Sequence, residues 1–328
     1  MTQSVKRSAL SQSVHISGVL LLNKPSGISS NRALQVSKRL LSAAKAGHTG
    51  TLDPMAQGLL PICLGEATKF SSALLSVDKT YVASLRLGYL SNTGDAEGEI
   101  RHVADSGICP PGYEQVTRTL QTFLGRSNQI PPMFSALKQN GKPLYRYARE
   151  GITLERKARE IFIHALSLDN LSGSELKIIV RCSSGTYIRT LAEDIGKALG
   201  CGGAYLTALV RTGVGHFDLS QAFNLDQIES ELPASRHAFL RPTDSLLNDI
   251  PSMTFDDGET LCLRQGQTIR KNMTHYGFPT NTKIRMYDSR NIFLGLGEWV
   301  DSGIIMPKRM IVLHEVTMSA ASNSSDLR

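Results

Sequence analysis

A carboxylate, an imidazole and several glycines stand together in Gly47-His48-Thr49-Gly50-Thr51-Leu52-Asp53-Pro54, with Met55-Ala56-Gln57-Gly58 following. A carboxylate serves as base or nucleophile once it is ionised and partly removed from water. Asp53 before Pro54 predicts a helix N-cap with proline at the first helical position. A helix N-terminus would hold the carboxylate ionised. His48 lies among glycines that let the backbone approach a ligand closely. Its imidazole could stack on a base, or simply be solvated. Tyr81, at a strand end after Asp78-Lys79-Thr80, offers a core contact or a platform for a flipped base. Arg189 falls in the first turn of a predicted helix, where a cation opposes the helix dipole. A buried carboxylate would explain it, and Asp53 is the candidate partner.

Cations and aromatics mix over residues 138–159, which hold Lys138, Lys142, Tyr145, Arg146, Tyr147, Arg149, Arg156, Lys157 and Arg159. Such a mixture suits phosphate contacts with base stacking, or a solvated helix face. A net charge of +7 over 328 residues favours a polyanionic partner. There is no phosphate loop, no H-E-x-x-H and no G-x-S-x-G. Neither a cofactor nor a metal is expected. The five cysteines are scattered, without a C-x-x-C pair, which argues against disulfides and thiolate zinc. No stretch approaches the ~20 apolar residues of a membrane span. The polar start, Met1 to Val14, has no signal core, so a cytoplasmic protein is expected.

These residues need a scaffold. Gly18 to Leu22 is a continuous apolar run that predicts a buried strand. Ser29 or Ser30 caps a helix carrying Leu34, Leu40 and Leu41. Tyr81 to Leu87 alternates as a strand, with Tyr81, Ala83, Leu85 and Leu87 on one face. Asn92 to Gly98 is a turn. Val116, Leu120, Phe123 and Leu124 share a helical face. Residues 159–168 and 176–182 read as strands, and Gly185 opens a helix with Ile188, Leu191, Ile195 and Leu199 inward. Strands and helices mix without βαβ alternation, so an α+β fold with a mainly antiparallel sheet is expected. Beyond Leu247 to Pro251, short strand-like pieces at Lys283 to Tyr287 and Ile292 to Leu296 predict a small β-rich domain. The expected boundaries are a disordered tail over 1–14, a catalytic domain over 15–248, the β-rich domain over 249–317 and a polar tail over 318–328.

Eight ordered segments carry a resemblance: Gly18 to Gly27, Gly47 to Pro54, Gly65 to Lys69, Asp78 to Tyr81, Gln129 to Lys138, Leu144 to Gly151, Cys182 to Thr190 and Leu209 to Phe217. In these the chain closely resembles the bacterial TruB family of tRNA pseudouridine synthases. The resemblance implies a pseudouridine synthase fold with a PUA-like C-terminal domain. It also implies conversion of uridine 55 in the tRNA T loop to pseudouridine, with no cofactor. Asp53 would be the essential aspartate, Arg189 its partner, Tyr81 the stack on the uracil and Leu209 the pocket floor. His48 would enter the T loop. Lys24, Lys69, Lys138 and Tyr187 are expected near the RNA, and residues 129–151 would form a segment that orders over it. The aspartate could attack C1′, add to C6 or take a proton from C2′; the sequence leaves all three open.

The resemblance implies a monomer that acts without guide RNA or a protein partner. Two other readings stand beside this one. The basic, aromatic segment suits a tRNA-folding chaperone. The Thr51-Leu52-Asp53 core is also shared with the guide-dependent subunit of box H/ACA particles, although Gly65 to Lys69 looks bacterial.

Overall fold

The computed structural model describes residues 16–104, 110–271, 278–300 and 303–312. The two expected tails, 1–14 and 318–328, lie outside them. The chain divides into two compact units, the first running from Ile16 to Pro242 and the second holding the described residues from Thr243 on.

The first unit is built on a ten-stranded sheet. Its strands are β1 (Gly18–Lys24), β2 (Ala46–His48), β3 (Gln57–Leu64) and β4 (Lys79–Leu87). A side ribbon joins β5 (Tyr89–Ser91) to β6 (Ile100–His102), and β7 (Gly125–Gln129) returns to the sheet. A small hairpin, β8 (Lys138–Gln139) with β9 (Lys142–Pro143), precedes β10 (Arg159–Ser172), β11 (Glu175–Cys182), β12 (Ala204–Val214), β13 (Phe217–Asp218) and β14 (Leu240–Arg241). The main order is β14-β1-β3-β12-β4-β11-β10-β7, with β2 beside β3 and β13 beside β12. All these pairs are antiparallel except β12 with β3. The fold is thus the α+β, mainly antiparallel class that the sequence predicts.

The local reasons are legible. Val19 to Leu22 are all buried, as a run without alternation requires. Ser29 caps α1 (Ser30–Leu40) by accepting from the Arg32 amide, an interaction worth about 1 kcal/mol. In β4, Ala83, Leu85 and Leu87 turn inward. Helix α2 (Tyr113–Gln121) buries Val116 and Leu120 but ends before Phe123 and Leu124, so the expected four-residue face is cut short. Three consecutive i→i+3 bonds tighten the chain from Thr122 to Leu124 instead. A short helix, α3 (Leu144–Arg149), follows the small hairpin. The helix expected from Gly185 begins three residues later, as α4 (Ile188–Ala198).

Asp53 caps no helix. After Asp53 the chain bends through Pro54 and Met55, with the Ala56 amide donating to the Asp53 carbonyl at 3.1 Å, and enters β3 at Gln57. A strand with seven consecutive buried residues, covered on both faces, thus follows where the Asp-Pro signal predicts a helix.

The second unit holds a five-stranded sheet in the order β15 (Ser252–Thr254), β17 (Thr282–Tyr287), β18 (Phe293–Val300), β19 (Ile304–Met310) and β16 (Ile269–Arg270). Its core gathers Phe255, Leu263, Ile284, Met286 and Trp299.

Candidate active site

The loop carrying Asp53 is tied down on both sides of the carboxylate. Ser30 Oγ accepts from the Leu52 amide at 2.8 Å and donates to its carbonyl at 2.9 Å. Ser26 Oγ donates to the Met55 carbonyl at 2.8 Å, and the Gly27 amide to that of Pro54 at 2.8 Å. Lys24 is fully buried, and its Nζ donates to the carbonyls of Pro25 (2.8 Å), Ile28 (2.7 Å) and Pro54 (3.3 Å). Burial lowers its pKa to about 8, partly opposed by Asp53. The resemblance implies a place for Lys24 near the site and the RNA backbone. The structure instead puts it beneath the loop as a fastening for carbonyls that would otherwise be unpaired.

Arg189, the second residue of α4, reaches Asp53 Oδ2 with Nη2 at 3.0 Å. This is the carboxylate partner that the unfavourable helix position demanded. Three further groups hold the guanidinium. Nη1 donates to the Thr93 carbonyl at 2.9 Å and lies 3.8 Å from Asp95 Oδ2, while Nη2 donates to the Phe134 carbonyl at 2.7 Å. Asp95 is buried and also accepts from Thr93 Oγ1 at 2.6 Å. Two carboxylates therefore share one arginine. Burial pushes the Asp53 pKa up, Arg189 pulls it down, and Asp95 pushes it up again, leaving it above the usual aspartate value.

Asp53 borders two cavities. One, of about 330 Å³, is lined by Tyr81, Lys79, Leu209, Arg211, Tyr187 and Arg189. This volume lies at the small end of ligand sites, which run from ~300 Å³. The other, of about 530 Å³, is lined by His48, Asn31, Asp95, Glu97, Tyr145 and Arg149. Ser135 and Ala136 wall both. His48 ends β2, and its Nδ1 is buried without a partner in the protein. Burial and Arg211 lower its pKa, which favours the neutral imidazole.

The structure thus gathers Asp53, Tyr81, Tyr187, Arg189 and Leu209 around one cavity and His48 around the next. Lys69 pairs with Glu66 at 2.6 Å, and Lys138 lies exposed in the small hairpin. Neither lines either cavity. Four contributors were missed: Lys79, Asp95, Gln129 and Arg211. Gln129 caps α4 in place of a side chain of Tyr187. It accepts from the Tyr187 amide at 2.8 Å and donates to its carbonyl at 3.1 Å. Two of the four could have been found from the sequence: Lys79 and Arg211 are cations two residues from Tyr81 and Leu209, where strand alternation puts them on the same face.

Comparison with known proteins agrees with this geometry. Residues 38–188 match the TruB family pseudouridylate synthase N-terminal domain, and residues 189–248 the tRNA pseudouridylate synthase B C-terminal domain. Residues 251–311 match the C-terminal domain of pseudouridine synthase II TruB. The tRNA pseudouridine synthase B of Nitrosomonas europaea is 75% identical over 94% of this chain and 100% of its own length. That of Nitrosospira multiformis is 55% identical over 90% and 96%. An archaeal box H/ACA sRNP Nop10–Cbf5 complex shares the fold, with a TM-score of 0.64 and 21% identity, covering 89% of this chain and 85% of that one. Fold and site define a pseudouridine synthase. More narrowly, the chain belongs to the TruB family. Among the described residues no helix is long and apolar enough to cross a membrane.

Proposed function

We propose that this chain isomerises uridine 55 of the tRNA T loop to pseudouridine, with Asp53 as the catalytic aspartate. The observation that carries this reading is the Asp53–Arg189 pair at 3.0 Å, opening onto a small cavity bordered by Tyr81 and Leu209. The target uridine leaves its stack, at a cost of a few kcal/mol. Stacking on Tyr81 and filling of the gap by His48 offset that cost, at roughly 1–3 kcal/mol per stacked base. Arg189 favours the ionised carboxylate that any of the three routes requires. The reaction is an isomerisation, so the substrate supplies every atom of the product.

Residues 129–151 support the same reading, because Ser135, Ala136, Tyr145 and Arg149 of this segment border Asp53's second cavity. Their substrate would be the T stem and loop, taken without a guide RNA, by a monomer, in the cytoplasm. A tRNA-folding role rests on the same segment, where Lys142 lies over the Tyr147 ring and Arg149 over Tyr145. Refolding of a mispaired tRNA by Asp53→Asn protein would show that role apart from chemistry.

The site of modification is tested by mapping pseudouridine along an unmodified tRNA transcript after treatment with the pure protein. One new pseudouridine at position 55, absent when that uridine is replaced by cytidine, is the expected result. Modification elsewhere, or only when a guide RNA is added, would refute the reading.

A further inference from the structure

A second buried arginine borders the base cavity. Arg211 is 1% exposed and stands two residues beyond Leu209 on β12. Its position follows from the sheet. It is the cross-strand partner of Tyr81 on β4 and of Gly58 on β3. A register shift follows it, between Arg211 and Gly213, and such irregularities re-aim side chains. Gly58 has φ +107°, and a Cβ there would meet the Arg211 carbonyl oxygen at 2.4 Å. Only glycine lets β3 come this close. The guanidinium then reaches out to the site. Nε donates to the Leu59 carbonyl at 2.8 Å, and Nη2 to the Gly50 carbonyl at 3.1 Å, in the loop that bears Asp53. Its charge also acts on the phenol of its cross-strand partner Tyr81.

A buried cation ordinarily stands beside a carboxylate, as Arg189 does. Among the described residues, Arg211 has two carbonyls and a phenol instead. Burial lowers the pKa of Lys24, His48 and Lys79 around the site, and the Arg211 charge adds to the lowering in each. Among the described residues no carboxylate is paired with the Arg211 guanidinium, which borders the cavity that Asp53 borders from the other side.

The reaction can supply the anion. If the N1–C1′ bond breaks heterolytically, its electron pair stays on the base, as a uracil anion with charge shared by N1, O2 and O4. The sugar is left bonded to Asp53 through C1′. In the alternative route Asp53 takes the C2′ proton, and the sugar is left as a C1′=C2′ alkene whose proton is later returned. C5 then bonds to C1′, expelling the Asp53 carboxylate in the first route or with the proton returned to C2′ in the second, and the C5 proton is released while N1 takes one up. Resting on the function proposed above, we infer that Arg211 is a positioning residue. It fixes Tyr81 and the Asp53 loop on one cation and presents that unpaired charge to the base as it leaves C1′. Preorganised charge of this kind needs no rearrangement during the step.

The test compares single-turnover rates of loss of the N1-linked nucleoside from a T-stem-loop RNA carrying uridine or 5-fluorouridine at position 55, a readout that does not depend on release of a C5 proton. The fluorinated base is more acidic and leaves more readily as an anion. Arg211→Gln is expected to slow the uridine reaction by about 100-fold, with RNA affinity nearly unchanged. It should slow the 5-fluorouridine reaction far less, so the ratio of the two rates rises. Equal losses on both RNAs would mean that Arg211 only shapes the site, and would overturn the inference, as would full activity. If Arg211→Gln does not fold, Arg211→Lys carries the test. It keeps the charge and loses the fork, so both rates should fall by one factor, and a risen ratio would overturn the inference. Wild-type protein inactive on both RNAs would instead overturn the proposed function, which separates the two failures.

Discussion

The first turn of α4 and the middle of β12 each bury an arginine at the edge of the same cavity, and they hold it in opposite ways. Arg189 stands between two carboxylates, 3.0 Å from Asp53 and 3.8 Å from Asp95. Among the described residues, Arg211 is held by backbone carbonyls instead. A paired cation sets the charge of its partner, whereas an unpaired one sets the potential of the space beside it. The site thus separates two tasks. One arginine keeps the aspartate ready, and the other faces the base.

The largest effect should come from the carboxylate itself. Asp53→Asn keeps size and hydrogen bonding but removes the charge, and should cut turnover by roughly 10⁴-fold or more with tRNA binding retained. Removing Arg189 comes next. Arg189→Met leaves Asp95 buried beside no cation, and breaking a buried pair in this way costs about 3–5 kcal/mol. A thermal melt at pH 7 should show that loss, and an Arg189→Met protein as stable as wild type would mean that the pair carries no stability.

A milder change separates the two carboxylates. Asp53 must be ionised to act, and its folded pKa is raised, so activity should fall as pH drops through that raised value. Asp95 contributes to the rise. Asp95→Asn should move the acid limb of the single-turnover rate to lower pH, whatever it does to the plateau. An acid limb that stays in place would deny Asp95 this role. On the other arginine's side, Gly58→Ala forces a Cβ against the Arg211 backbone at a positive φ. It should destabilise the protein by about 1–3 kcal/mol in a denaturant titration. The smallest effect belongs to the outlying cations. Lys138→Ala should leave the chemical rate alone and reduce the salt dependence of tRNA binding by about one ion.

The scaffold was largely legible in the sequence, because burial writes itself into residue type. Leu20 to Leu22 read as a buried strand and are one, and Ala83, Leu85 and Leu87 alternate inward as expected. The misplaced charge of Arg189 pointed correctly to Asp53. The failures share a physical cause. Asp-Pro marks a helix start or a turn equally well. What decides between them here is Ser26, Ser30 and Lys24, which grip the loop from more than twenty residues away. The fastening role of Lys24 is not legible in the sequence, because nothing local reveals three carbonyls waiting for it. Arg211 reads as one residue of a strand until β3 and β4 close on either side of it.

The most direct measurement is tritium release from a tRNA transcript labelled at C5 of uridine, with wild type and Asp53→Asn at equal, saturating tRNA occupancy. Release should be rapid with wild type and absent with Asp53→Asn, although both bind. Release by the Asp53→Asn protein at a comparable rate would contradict the assignment of Asp53 and, with it, the division of labour between the two arginines.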